Sequence, residues 1–212
     1  MNKLLRNHIF LDFEAYFAQP YQECPLVVPF EIGAIRVQNG EIVAQFHAFI
    51  LPNSNDYECA VNCVLDSNIN WNKPHPNDPN FHLFRPIEIT KLGPLFEIFA
   101  LGSSIDLYQL KCPFVSIQTS FSAHFVDSII AKDPTLENVV LYHQMKCKNL
   151  EGKLIDFDLF SHAFLGAKFS SKQANLEMHK ANKCKYHSQK SSSHCALGDA
   201  RYLAGLFIKH FQ

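Results

Sequence analysis

The residues best suited to chemistry lie close together near the carboxyl end of the chain. Cys184, His187 and Cys195 form a Cys-x2-His-x7-Cys pattern of side chains that a soft metal ion such as zinc prefers. His194 and Asp199 form an overlapping His-x4-Asp pattern before an apolar helical stretch. A histidine and an acid at this spacing can serve as the base and one carboxylate of a two-metal hydrolytic centre. The stretch therefore predicts a zinc site, a hydrolytic site, or both.

The amino-terminal part of the chain supplies candidate partners for each site. Asp12 and Glu14 are separated by one residue at the end of a short apolar segment. Because side chains alternate along a strand, these two carboxylates are expected on one face, as a two-metal centre requires. Glu31 lies in the next β-rich segment and is a candidate partner for the metal site.

Composition and charge leave the class of partner open. The chain has 212 residues, 47% of them hydrophobic, with a net charge of −1. This length and apolar content suit one domain with a sizeable core, and the overall charge does not indicate a nucleic-acid binder. Between Lys168 and Lys190, however, six lysines accompany one acid, Glu177. That segment is either a solvated face or a patch that contacts phosphates.

Cysteine usage and hydropathy favour a reducing compartment. The seven cysteines are scattered along the chain, its first residues are not expected to act as a secretory signal, and it contains no apolar run of transmembrane length. Clustered cysteine and histidine therefore favour a metal site over disulfides. We expect a monomer without membrane contact in the cytoplasm (perinuclear), the nucleus, or both.

Hydrophobic patterning predicts three strands followed by alternating strands and helices, which is an α/β domain with a mixed sheet. The predicted strands are 8–13, 26–37, 41–51, 113–118 and 138–142, and the predicted helices are 90–101, 120–131, 157–166, 170–183 and 197–211. Asn39-Gly40 is a strong hairpin-turn signal. Residues 15–25 are predicted as a polar connection, and 52–86 as a long loop or insertion within a single domain spanning 1–212.

Several segments resemble known nuclease-like families. Resemblance to DEDDh 3′–5′ exonucleases is carried by Phe10-Leu-Asp12-Phe-Glu14, Glu31-Ile-Gly33-Ala-Ile35 and His194-Cys-Ala-Leu-Gly-Asp199-Ala-Arg. A closer resemblance is to the Maelstrom (MAEL) domain, an RNase H-like relative of those nucleases. It is carried by Pro29-Phe-Glu31-Ile-Gly33, by Phe46-His47-Ala48-Phe49-Ile50 with Pro52 and Tyr57, and by Lys183-Cys184-Lys-Tyr-His187 with His194-Cys195-Ala-Leu.

The Maelstrom resemblance implies an RNase H-like mixed sheet flanked by helices and a structural Zn²⁺ site. Carried onto this sequence, the zinc ligands are Glu31, Cys184, His187 and Cys195. The implied partners are single-stranded RNA and small-RNA pathway proteins in germline, piRNA-mediated transposon silencing, and single-strand ribonuclease activity is also allowed. Because the similarity begins almost at residue 1, the HMG box that often precedes this domain is expected to be absent.

The DEDDh resemblance implies a 3′–5′ exonuclease with four carboxylates that hold Mg²⁺ or Mn²⁺. Asp12, Glu14 and Asp199 fill three of these positions, and His194 is the expected general base. In the family the third acid follows a short strand. If that strand is 113–118, Ser122 stands at the acid's position.

A missing third acid leaves three functions open. Asp127 replaces it only if this strand assignment is shifted. The preferred hypothesis is a zinc-stabilised domain that binds single-stranded RNA. The first alternative is an active exonuclease that depends on divalent cations, and the second is an interaction module in which both sites are vestigial.

Overall fold

The computed structural model describes a sheet with helices on both faces. The described residues are 7–18, 26–51, 86–106, 126–131, 142–157, 159–160 and 196–211. Their strands are β1 (Asn7–Ala18), β2 (Leu26–Gln38), β3 (Glu41–Leu51), β4 (Ile87–Glu88), β5 (Ile105–Asp106), β6 (Ser128–Ala131) and β7 (Leu154–Asp156). Helix α1 spans Ile89–Ala100 and helix α2 spans Ala196–Phe211.

The sheet is mixed, as the order of elements in the sequence predicted. Its strands follow one another as β4-β3-β2-β1-β6-β7, and β5 also pairs with β3. Strands β1, β2 and β3 are antiparallel neighbours, whereas β6 runs parallel to β1 and β7 parallel to β6. The predicted α/β class with a mixed sheet flanked by helices is therefore confirmed.

The hairpin between β2 and β3 forms where the sequence predicted it. Asn39 and Gly40 both have positive φ, at 54° and 85°. Two consecutive positive φ angles define a type I′ turn, whose twist matches that of the flanking strands. The turn thereby fixes the register in which β2 and β3 pair.

Side-chain alternation divides the interior into two cores on opposite faces of the sheet. Odd-numbered β1 residues and even-numbered β2 residues pack with α1, and this core includes Leu11, Ile32 and Phe96. Even-numbered β1 residues pack with α2 on the other face, where the core includes Phe10 and Leu203. Of the described helices, none is long and apolar enough to cross a membrane.

Three sequence predictions differ from the structure. The predicted helix 120–131 is wrong at its carboxyl end, because Ser128–Ala131 is strand β6. The predicted connection 15–25 is wrong at its start, because β1 continues to Ala18. Tyr142 begins a short helical turn instead of ending a strand. Strand 113–118, helix 170–183 and nearly all of the loop 52–86 lie outside the described residues.

Candidate metal centre

Three carboxylates meet between β1 and α2. Oxygen atoms of Asp12, Glu14 and Asp199 all lie within 4.8 Å of one another. Glu14 is 9% exposed and Asp199 4% exposed, while Asp12 is half-buried. The structure thus brings together the three acids that the sequence assigned to one centre.

Two local features position these acids. Asp12 and Glu14 stand at alternate positions of β1, so both project from the face that packs against α2. Asp199 lies in the first turn of α2, where the positive end of the helix dipole favours an acidic side chain. Strand alternation and a helix start therefore direct all three carboxylates to one point.

Gly33 lets helix α2 approach the sheet closely enough for this meeting. It pairs with Asp12 on β1 and with His47 on β3. A Cβ atom at Gly33 would lie 2.1 Å from the backbone nitrogen of Leu197 and 2.2 Å from the carbonyl carbon of Ala196. Only a residue without a side chain permits this contact, which seats the first turn of α2 beside Asp12.

A β-bulge lies directly beside Glu14. Glu14 pairs with Glu31, but Ala15 pairs with Pro29, so Phe30 is an extra residue on β2. Pro29 has no backbone N–H to donate to a ladder, which suits a bulge. Bulges of this kind bend a strand and redirect its side chains, and they are frequent next to functional sites.

The donor set of this cluster fits a hard divalent cation. Carboxylate oxygens are the ligands that Mg²⁺, Mn²⁺ and Ca²⁺ prefer. Two negative charges 4.8 Å apart repel each other by about 3 kcal/mol at an effective dielectric constant near 20. A cation bound between the carboxylates would offset this repulsion, because it attracts all three of them. The three acids therefore fit a cation site in both chemistry and spacing.

Glu31 on β2 pairs with Glu14 on β1, and its side chain is hydrogen-bonded to His47, which no sequence motif had placed in a site. Its Oε1 lies 2.9 Å from Nε2 of His47, and the two side chains are 1% and 0% exposed. His47 stands at an odd-numbered position of β3. Its side chain therefore faces α2, as do the side chains of Glu31 and Glu14. His47 appeared in the sequence only within the Maelstrom-like segment, and no local pattern indicated its pairing.

The remaining predicted zinc ligands lie outside the described residues. They are Cys184, His187 and Cys195, and the predicted base His194 also lies outside. Glu31 is described, and it is buried on the same face of the sheet as the acidic cluster.

The topology indicates where a third carboxylate would have to stand. The carboxyl ends of parallel neighbouring strands meet at one edge, so an acid near Asp12 should follow β6, whose Ala131 pairs with Leu11. Ser122, the predicted position of the third acid, and the residues that follow β6 both lie outside the described part of the chain.

Asp127 does not stand at this place, because it lies at the opposite end of β6. Its backbone N–H donates to the carbonyl oxygen of Asn7, five residues before Asp12. Five residues of extended strand correspond to about 16 Å. Asp127 therefore stands too far from Asp12 to supply the third acid.

No protein-family model and no curated protein matches this chain. The functional assignment accordingly depends on the geometry of the acidic cluster and on the residues around it.

Proposed function

We propose that this chain is an RNase H-like domain whose centre, formed by Asp12, Glu14 and Asp199, binds Mg²⁺ or Mn²⁺ and hydrolyses phosphodiester bonds of single-stranded RNA. The observation that carries this proposal is the approach of the three carboxylates to within 4.8 Å on one face of the sheet. Three consecutive antiparallel strands, followed by strands parallel to β1, agree with the RNase H-like order that the resemblance implies.

The chain's own residues have defined tasks in this reaction. Asp12, Glu14 and Asp199 would hold the cation, which when bound supplies an activated water and stabilises charge on the phosphate oxygens. Burial of Glu14 and Asp199 fixes their orientation and keeps bulk water from the inner side of the site. Asp12 is the least buried of the three acids and would be the one nearest an incoming phosphodiester. His194 is the proposed proton acceptor.

RNA cleavage by the full chain tests the proposal. Single-stranded RNA labelled at its 5′ end is incubated with Mn²⁺ or with a chelator, and products are separated by length. Wild-type protein should shorten the RNA from its 3′ end only with the cation, and Asp12→Asn should lower the rate by a factor of about 100 or more. Asp127→Asn removes one exposed acid far from the centre and should cleave like the wild type.

Equal cleavage by the Asp12→Asn variant, or cleavage in chelator, would contradict this centre. Cleavage within the RNA instead of from its 3′ end would keep the centre and overturn the exonuclease direction.

A second function, the zinc-stabilised RNA-binding domain of the Maelstrom type, is favoured by the position of Glu31. Gly33, two residues after Glu31 on the same face, contacts Ala196, which directly follows Cys195 in the sequence. This contact supports a zinc site formed by Glu31, Cys184, His187 and Cys195. Small-RNA silencing and its protein partners belong to this proposal, as does a perinuclear or nuclear location.

Metal content distinguishes the second function from the first. Wild-type protein and Cys184→Ser are purified without added metal and analysed by mass spectrometry. One zinc per wild-type chain, lost in the variant together with thermal stability, supports the zinc site. Wild-type protein without zinc would overturn it and leave the acidic centre as the functional site.

A further inference from the structure

A cleft lies on the opposite face of the sheet from the acidic cluster. It has a volume of about 200 Å³, and its lining residues are Tyr142, His143, Lys146, Cys147, Lys148 and Glu151. Tyr142 and Cys147 belong to the core that packs with α1, whereas the acidic cluster faces α2. The cleft is therefore separate from the proposed catalytic site.

Contacts with α1 hold the segment that forms this cleft. A Cβ atom at Gly93 of α1 would lie 2.2 Å from the carbonyl oxygen of Met145, so the segment packs directly against the helix backbone. The Glu97 carboxylate accepts two hydrogen bonds from Asn149, one from its backbone N–H at 2.9 Å and one from its side-chain amide at 3.1 Å. These contacts fix the loop before any ligand binds.

The Tyr142 hydroxyl donates a hydrogen bond of 2.8 Å to the carbonyl oxygen of Leu150, which joins the two ends of this segment. The lining residues thus form a cleft whose shape is set by hydrogen bonds within the segment. A preformed site of this kind binds with a small loss of conformational entropy.

The floor of the cleft is electrically neutral. Burial, with a smaller effect of the Glu97 charge, raises the pKa of the Cys147 thiol to about 12. Burial also raises the pKa of Tyr142. Both side chains stay protonated at neutral pH, so Cys147 is not a thiolate nucleophile there. The charge of the cleft comes from its rim, where Lys146 and Lys148 outnumber Glu151.

We propose that this cleft binds a phosphate group, held between the ammonium groups of Lys146 and Lys148. Both lysines are exposed at the rim, and the buried floor beneath them carries no negative charge that would repel an anion. The size of the cleft suits one phosphate group with part of its substituent. That phosphate is either a free anion or one unit of a nucleic-acid backbone, since lysine recognises both as point charges.

Two probes and two matched variants test the cleft. The probes are inorganic phosphate, followed by its effect on the melting temperature at constant ionic strength, and a labelled single-stranded RNA, followed by fluorescence anisotropy. All measurements are made in chelator, so that they do not depend on the proposed nuclease activity.

The test variant is Lys146→Asn/Lys148→Gln. Asparagine is chosen because Lys146 has a φ of 56°, and this left-handed conformation suits asparagine. The control Lys91→Gln/Lys209→Gln removes the same charge from the two helices, at positions that do not line the cleft.

Phosphate should stabilise the wild type and the control but not the test variant. If the phosphate belongs to RNA, the test variant should also bind RNA about tenfold more weakly. Its plot of log affinity against log salt concentration should then be shallower by about 0.7, the value for one phosphate contact. If the test variant loses only the response to phosphate, the ligand of the cleft is a free anion. If it also loses affinity for RNA, the ligand is a phosphate of the RNA backbone.

If the test variant and the control behaved alike with both probes, the proposed phosphate site would be overturned. A wild-type protein that responds to neither probe would overturn it too.

Discussion

Glu14 and Glu31 are direct partners across β1 and β2, and both face α2. The Cβ atoms of such a pair are about 5 Å apart, and like charges at this position repel each other. Glu14 belongs to the acidic cluster, whereas Glu31 is hydrogen-bonded to His47. One residue of each predicted cation site therefore belongs to this pair, so a cation bound at one site is expected to alter the affinity of the other.

Removing one acid from the cluster should stabilise the cation-free protein. Asp199→Asn relieves repulsion from two carboxylates within 4.8 Å, and the neutral side chain still fits. We expect the free energy of unfolding in chelator to rise by about 1 kcal/mol. The stabilisation that Mn²⁺ gives to the wild type should be lost in this variant.

Urea unfolding with and without Mn²⁺ measures both effects of Asp199→Asn. Asp127→Asn is the control, because Asp127 is exposed at the far end of β6 and should change neither value. A destabilised Asp199→Asn protein that still gains stability from Mn²⁺ would argue against a cation site here.

Gly33→Ala should separate α2 from the sheet. The new methyl group would lie 2.1 Å from the Leu197 nitrogen, and backbone atoms cannot yield locally. We expect a loss of about 2–4 kcal/mol in the free energy of unfolding, with weaker Mn²⁺ binding because Asp199 moves with the helix.

Gly205→Ala is the matched control for Gly33→Ala. Gly205 lies on α2 itself, and a Cβ there meets no atom within 4 Å. Alanine is the better helix former, so this variant should be stabilised by about 0.5–1 kcal/mol. If both glycine variants were equally stable, the close approach at Gly33 would be refuted.

The buried contact between Glu31 and His47 should contribute measurably to stability. A double-mutant cycle with Glu31→Gln and His47→Leu isolates their interaction, which we expect at about 1–3 kcal/mol. The pair Glu88 and Lys91 has the same 2.9 Å separation, but its side chains are 48% and 62% exposed. Its cycle should give less than about 0.5 kcal/mol, because water screens the charges. Equal coupling in the two cycles would show that burial does not strengthen the Glu31–His47 contact.

The buried thiol of Cys147 should make stability depend on alkaline pH. Its pKa is raised to about 12 by burial, so the folded chain keeps a proton that the unfolded chain loses at lower pH. This contribution is complete below the pKa of an exposed thiol and is lost as the pH rises toward 12. The stability difference between wild type and Cys147→Ala should shrink by up to about 1.4 kcal/mol per pH unit there. A difference that stays constant between about pH 8 and 10.5 in urea unfolding would refute a buried, protonated thiol.

Local patterns in the sequence were sufficient for the elements that carry the acids. Alternation in β1 placed Asp12 and Glu14 on one face, the Asn39-Gly40 turn fixed β2 against β3, and apolar periodicity predicted α2. Each of these signals depends on residues that are neighbours in the chain, so it can be seen without the fold.

Strand β6 shows where local patterns were misleading. All four of its residues are buried, because β1 and β7 flank it and both faces are covered. A strand buried on both faces has no polar alternation, so Ile129 could be read as part of a helical repeat.

The contacts that complete the site depend on residues far apart in sequence. Gly33 meets α2 across more than 160 positions, and Glu31 meets His47 across a hairpin. The sequence contains these residues but no periodic signal for their contacts. Only the folded sheet shows that His47 supports Glu31.

Mn²⁺ binding to the full chain, measured by titration calorimetry beside Glu14→Gln and Asp127→Asn, tests the acidic centre most directly. The wild type and Asp127→Asn should bind Mn²⁺ with equal affinity, and Glu14→Gln should bind at least about tenfold more weakly because it loses a buried ligand. Equal binding by the wild type and Glu14→Gln, or a wild type that binds no Mn²⁺, would contradict the proposed centre.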